Sequence, residues 1–361
     1  MIAGTLTRYM ARRFFTVLIG AFGSLFVLVL MLDFVELLRR TSDLNASALL
    51  VAQVAAYRTP HITERVIPFT ILISTMVCYL SMSRRLELVV VRSAGVSAWQ
   101  FVMPALILSL LVGIGVTTIY NPISSALFER SERLESLLFD GGRNLQTTES
   151  NQWLRQRSQD GQSIIHAATS RQQGAELSDV TIFTLDHSDN YIGRIEAKRA
   201  ILHDGFWRLE DARIYAGEEL PANRKSYDLK TNLSRVQVQE SFATPETVPF
   251  WQLSSFINLA ENSGLAAAGY RLHFYRLLTL PLQLASMVLL AAAVSLRMFR
   301  FGGVQKMILS GIAAGLFLYV LSKIVGDLSK ANMLTPLLAA TLPTFIGGII
   351  GTMALLYQED G

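Results

Sequence analysis

Charge is scarce in this chain. Of 361 residues only 17% are Asp, Glu, Lys or Arg while 51% are hydrophobic, a balance that leaves a membrane protein or an unusually apolar enzyme. Cysteine is nearly absent as well. The one cysteine, Cys78, excludes a disulfide framework and a cysteine-built metal centre, and within an apolar run it reads as a small core residue. Enzyme signatures are also lacking: there is no HExxH, no GxSxG and no nucleophile beside a base, and nothing calls for a cofactor. A GxxxxGK[ST] phosphate loop is missing too, so the chain is not read as an ATPase. The net charge of +4 is not gathered into a basic arm of the kind that grips nucleic acid.

What the chain has is long apolar runs. Four of them, 14–31, 96–120, 277–296 and 334–357, are near the length that spans hydrocarbon. Two shorter ones, 66–82 and 307–322, span if their flanking residues snorkel. Segment length therefore decides for a membrane protein with six spans. Arg8, Arg12 and Arg13 precede the first run, and no small-residue cleavage site follows it, which makes it an uncleaved anchor with its N-terminus inside. Basic residues recur in alternate connections, Arg84, Arg85 and Arg92 and then Arg297, Arg300 and Lys306, and this places both termini on the cytoplasmic side.

Between the third and fourth runs the composition turns polar. Strand-like segments at 153–155, 163–166, 180–185, 191–202 and 206–215 are separated by turn pairs such as Asp204-Gly205. They predict an inserted all-β domain, a sandwich or jelly roll, lying outside the membrane. The fold class is thus an α-helical membrane protein of three plus three spans around a jelly-roll-like domain, divided as 1–143, 144–247 and 248–361. A helix is expected over 46–57, stopped by Thr59-Pro60, and another over 252–262. Gly311 and Gly315, with Gly347, Gly348 and Gly351, form small-residue faces that serve packing within the chain or against a second membrane chain.

Two charged places carry the functional reading. The first is 83–95, SRRLELVVVRSAG. As one helix it puts Leu86, Val89, Val90 and Ala94 on a membrane-side face, with Arg84, Arg85 and Arg92 opposite, Glu87 at the border and Leu88 and Val91 pointing away from the bilayer. Such a segment is either a coupling helix that seats in a groove on a motor subunit or a solvated turn whose arginines fix topology. The second place is the outer side, where Arg39, Arg40, Arg58 and Arg65 run against the positive-inside trend and join His273, Arg276 and Lys323 in a ring of positive charge. Arginine pairs with phosphate through two parallel hydrogen bonds; contact with ordinary headgroups is the other reading.

FVELLRRTSD at 34–43, RRLELVVVRSAG at 84–95 and the three-plus-three layout around a β-domain together resemble the LptF/LptG permease family of the lipopolysaccharide exporter, over essentially the whole chain. The paired basic residues look more like the G-type subunit, LptG, than the F-type. The resemblance implies an LptF-like second permease, two copies of an LptB-like cytoplasmic ATPase and an LptC-like single-span protein, in the inner membrane of a Gram-negative cell. It implies that Arg84, Arg85, Glu87, Leu88, Val91 and Arg92 meet the ATPase and that Arg39 and Arg40 meet the phosphorylated sugar of the lipid. Arg58, Arg65 and Arg276 are added from topology. Phe26, Leu30, Phe317 and Leu321, on the first and fifth spans, are expected to line the lipid cavity. Lipopolysaccharide would be taken from the outer leaflet and passed to a periplasmic bridge. The rival is a proton-coupled secondary transporter, which keeps ionisable residues near the midplane; here the middle of every span is expected to lack Asp, Glu, Lys and Arg, with Asp33, Glu36 and Lys323 toward the ends.

Overall fold

The computed structural model describes every residue except 1, 43–46, 94, 141–151, 159–160, 172–174, 187–189, 217–220, 232–244, 263–266, 302 and 361. The described helices are α1 (Ile2–Thr41), α2 (Ala48–Arg84), α3 (Glu87–Ser93), α4 (Ala98–Gly115), a π-helical turn (Val116–Tyr120), α5 (Asn121–Asp140), α6 (Phe250–Asn262), α7 (Ala268–Phe301), α8 (Val304–Lys330) and α9 (Pro336–Asp360). Six stretches are long and apolar enough to cross a bilayer: Thr5–Thr41, Ala48–Arg84, Ala98–Glu135, Ala268–Leu296, Gln305–Lys330 and Pro336–Tyr357. They fall three before and three after the β strands, as the apolar runs predict.

Two helices are longer than the sequence suggests. Thr59-Pro60 does not stop a helix; α2 runs straight through Pro60 and Pro68. Threonine hydroxyls line the carbonyls around the first proline, Thr59 donating to Ala55 O at 2.7 Å and Thr63 to Thr59 O and Pro60 O, both at 2.9 Å. The helix therefore carries its residues beyond Pro60 into the second span. As a result Glu64, which sequence alone puts ahead of the second run, lies inside the second span and is buried. Likewise the third span does not end at Tyr120 but passes through the π-turn into α5.

The chain divides into two compact units. One comprises Met1–Glu135, Pro249–Trp251 and Arg271–Gly361; the other comprises Ser136–Val248 and Gln252–Tyr270. The membrane unit packs around Phe14, Ile71, Leu72, Leu284, Val288 and Ala291. Its glycines are where helices approach closest. A side chain at Gly113 meets the backbone of Pro281, at Gly311 it meets Met76, and at Gly315 it meets Leu72 and Phe69. At Gly347 it meets Leu318 and Ser286, and at Gly351 it meets Leu289. These small-residue faces are filled from within the chain.

The other unit holds a six-stranded antiparallel sheet in sequential order: β1 (Gln152–Ser158), β2 (Gly161–Arg171), β3 (Glu176–Leu185), β4 (Tyr191–His203), β5 (Phe206–Ala216) and β6 (Ala222–Lys230). The inserted β domain is as expected. Its described strands form a single meander, with no crossing between two sheets among the described residues. The sixth strand, ANRKSYDLK, escapes sequence reading because only Tyr227 and Leu229 in it pack against the apolar core. That side is built from cross-strand rows such as Ile165, Ile182, Ile195 and Ile214. Gln156 of β1 reaches the far strands: its Oε1 accepts from Trp207 Nε1 at 3.2 Å and from Thr231 Oγ1 at 2.6 Å.

A crease crosses this sheet. Inward residues normally recur every second position, yet in β3 they step from Leu177 to Val180, in β4 from Ala197 to Ala200 and in β5 from Leu209 to Ala212. Beside them in β6, Tyr227 pairs with Leu209 and Arg224 with Ala212, the same three-residue step. Two of the extra residues, Asp179 (φ 50°) and Asp211 (φ 53°), take the left-handed backbone that aspartate tolerates better than most residues. Because the strands slip together at one level, register is kept on both sides of the crease.

Candidate functional site

The 83–95 segment is not one helix. α2 ends at Arg84, a turn follows, and Leu86 has φ 62°, so α3 starts afresh at Glu87. This break resets the helical phase on which the expected faces rest. Val90, assigned to the membrane side, is 66% exposed, and Leu86 is 62% exposed. Val91, assigned to a partner, instead packs against the apolar core of the membrane unit. Glu87 is engaged within the chain: Arg13 Nη1 on α1 bonds its carboxylate at 2.6 Å and Tyr9 donates to it at 3.1 Å. The other arm of Arg13 donates to Ser81 Oγ at 2.8 Å. Arg13 thus ties α1, the end of α2 and the start of α3 together. Arg84 and Arg85 are exposed; the side chains of Leu88 and Arg92 lie outside the described residues.

The outer arginines separate into two kinds. Arg39 and Arg40, in the last turn of α1, are exposed and share Glu36, at 3.0 and 2.9 Å. Arg65 is exposed on α2. Arg58 is half-buried between Glu135 of α5 at 3.5 Å and Asp33 of α1 at 3.9 Å. Arg276 of α7 is half-buried and donates to Ser322 O of α8 at 3.1 Å, lying where a side chain on Gly326 would collide. The structure therefore brings Arg39 and Arg40 together and commits Arg58 and Arg276 to joints between helices. Lys323 is exposed on α8.

Among the residues expected at a cavity, Phe26, Leu30 and Leu321 are half-buried, and Phe317 is 56% exposed. Their helices stand out from the others. Only 6% of the most apolar window of the α1 span and 22% of the α8 span are buried within the chain, against 61% for α2 and α7. Val27, Leu28, Met31 and Leu32 on α1, and Leu309, Ile312, Leu316 and Val320 on α8, present apolar side chains outward.

Sequence reasoning missed a buried polar joint. Asn121, 1% exposed, donates from Nδ2 to Glu64 Oε1 of α2 at 2.8 Å and accepts from the Phe250 N–H at 2.9 Å. Ser124 stands beside the same carboxylate. The signal available was the Asn121-Pro122 pair following an apolar run, which reads equally well as a loop. Among the described residues no group of three His, Cys, Asp or Glu is placed to hold a metal ion.

A profile of the family described as lipopolysaccharide export system permease LptF/LptG matches residues 8–357. The chain is similar to the lipopolysaccharide export system permease protein LptG of Escherichia coli K12, 22% identical over 364 residues covering 94% of this chain and 95% of that protein. It is also similar to the protein of the same name from Haemophilus influenzae, 21% identical over 359 residues covering 95% of each. With six spans, an inserted antiparallel sheet and a family match over nearly its full length, the chain belongs to the LptF/LptG lipopolysaccharide export permease family.

Proposed function

We propose that the chain is one permease half of an ATP-driven lipopolysaccharide exporter in a Gram-negative inner membrane, extracting the lipid from the outer leaflet and passing it to a periplasmic bridge. The observation that carries this reading is the contrast among the spans. α1 and α8 leave long apolar faces uncovered in the isolated chain while α2 and α7 are largely buried. A second, LptF-like permease set against those faces would enclose a lipid-filled space bordered by Phe26, Leu30, Phe317 and Leu321. Exposed Arg39, Arg40 and Arg65 suit contact with its phosphates.

Both termini are cytoplasmic in this reading and the β unit is periplasmic, alongside an LptC-like partner. The energy comes from two copies of an LptB-like ATPase, since the chain itself is a non-catalytic lever. The ATPase seats over 83–95 through Arg84, Arg85 and the apolar side chains of Leu86 and Val90, with Leu88 and Arg92 on the same short helix. Glu87 and Val91 anchor that helix to the permease.

The proton-coupled rival keeps one observation in its favour, the carboxylate of Glu64 inside a span. Purification from native membranes followed by reconstitution separates the two. Recovery with a P-loop ATPase and a second six-span chain, and lipid release that needs ATP, is the expected result; release driven by a proton gradient without ATP overturns it. Arg39→Glu combined with Arg40→Glu is expected to weaken lipopolysaccharide cross-linking with assembly intact, and unchanged cross-linking removes both arginines from the site.

A further inference from the structure

The π-turn Val116–Tyr120 and the residue after it form a joint that none of the assigned roles uses. A π-helical turn leaves backbone groups out of the regular ladder, and such turns gather at functional sites. Here two side chains and one backbone carbonyl of the turn are spent on other elements. Thr117 donates to Leu277 O of α7 at 2.8 Å. Tyr120 donates to Pro60 O of α2 at 3.0 Å and shares a 2.7 Å hydrogen bond with Thr63. The Thr118 carbonyl accepts from the Trp251 indole at 3.1 Å. Asn121 closes the set, with Glu64 on one side and the Phe250 N–H on the other. Phe250 is further fixed by stacking on Phe274 of α7, with ring centroids 5.6 Å apart and planes 5° apart.

Connectivity gives this joint its meaning. α2, which carries Pro60, Thr63 and Glu64, leads at its C-terminal end through one turn into α3. Pro249–Trp251, which carries Phe250, is the piece of the membrane unit reached directly from the β unit at Val248. We infer that Asn121 is a positioning residue that relays displacement of α2 to the stem by which the chain returns from the β unit, through its paired hydrogen bonds to Glu64 and Phe250. The inference rests on the exporter reading above. A buried side chain with both ends bonded cannot follow one partner and leave the other without stranding a polar group in a water-poor site. The pair therefore moves together.

Two variants of the full-length chain, purified with its partner subunits, test this. Asn121→Ala removes both bonds. Glu64→Gln with Asn121→Asp restores both with the polarity of the first exchanged: the amide introduced on α2 donates to the carboxylate introduced on α5, which still accepts from the Phe250 N–H. Hydrogen exchange at the Phe250 amide reads the joint itself. It is expected to speed up by about tenfold or more in Asn121→Ala and return toward wild type in the double variant, given that local opening sets exchange. Lipid released per ATP hydrolysed reads the relay. It is expected to fall about tenfold in Asn121→Ala with ATP hydrolysis largely kept, within the range that mutations along coupled networks produce, and to recover in the double variant. The relay is overturned by unchanged lipid release per ATP in Asn121→Ala, by hydrolysis and release falling in equal proportion, or by failure of the double variant to recover release although Phe250 protection returns. A wild-type complex that hydrolyses ATP without releasing lipid overturns the exporter reading itself and the relay with it.

Discussion

In the first half of the membrane unit, α1, α2, α3 and α5 meet through charges and hydroxyls: Arg13 on Glu87, Arg58 between Asp33 and Glu135, Asn121 on Glu64. In the second half, α7, α8 and α9 meet through small residues, Gly347 under Leu318, Gly351 against Leu289, and the run Ala291, Ala292, Ala293 buried on α7. Arg276 on Ser322 O is the main polar link there. Both are answers to one physical condition. In lipid there is little hydrophobic drive between helices, so they adhere by close packing or by hydrogen bonds. The two answers differ in what they permit. Packed glycine faces tolerate no inserted atom and hold one geometry, whereas a set of polar partners has discrete ways of being remade. The polar half is also the half that carries 83–95, the segment proposed to receive force.

Four substitutions break or sharpen this contrast. The largest effect is expected for Gly351→Val, whose Cβ falls 2.7 Å from Leu289 Cβ and 2.9 Å from its carbonyl carbon. Overpacking of this kind is expected to cost about 3 kcal/mol, seen as a drop in the thermal midpoint of the detergent-solubilised chain. Arg58→Met comes next, stranding Asp33 and Glu135. A loss of about 2 kcal/mol is expected, between the values for exposed and fully buried ion pairs, and adding Asp33→Asn should recover part of it. Outside the membrane unit, Gln156→Leu deprives Trp207 and Thr231 of their acceptor and is expected to cost about 1–2 kcal/mol, read as faster hydrogen exchange in β5 with the spans unaffected. The smallest is Arg39→Ala with Arg40→Ala. Both side chains are exposed, so the thermal midpoint should stay unchanged while lipid cross-linking weakens.

The parts of the fold legible in the sequence are those set by local composition. Six spans follow from run length, and five of six strands from alternation. Helix continuity through Pro60 was hidden because proline is an ordinary helix stop, which a span packed among neighbouring helices overrides. The path through Asn121-Pro122 was hidden because the same pair opens a loop as readily as it opens α5. At 83–95 one wheel does not describe the segment: a left-handed Leu86 resets the helical phase, and Val91, expected to point away from the bilayer, packs against the core of the membrane unit. Partners distant in sequence were not legible at all. Arg13 and Glu87 are 74 residues apart and Arg58 and Glu135 are 77 apart, so an arginine that looks available in a sequence is occupied in the folded chain.

The bent sheet has an evolutionary corollary. Deleting Asp179 alone puts one portion of β3 out of phase with β4, turning side chains such as Val180 and Ile182 toward solvent while Ala197 and Ile195 stay inside. Only matching deletions in the neighbouring strands would flatten the sheet without scrambling its faces. Single-residue length changes at this level should accordingly be shared by adjacent strands or be missing from all of them, and the contour of the domain should outlast wide drift in the residues that compose it.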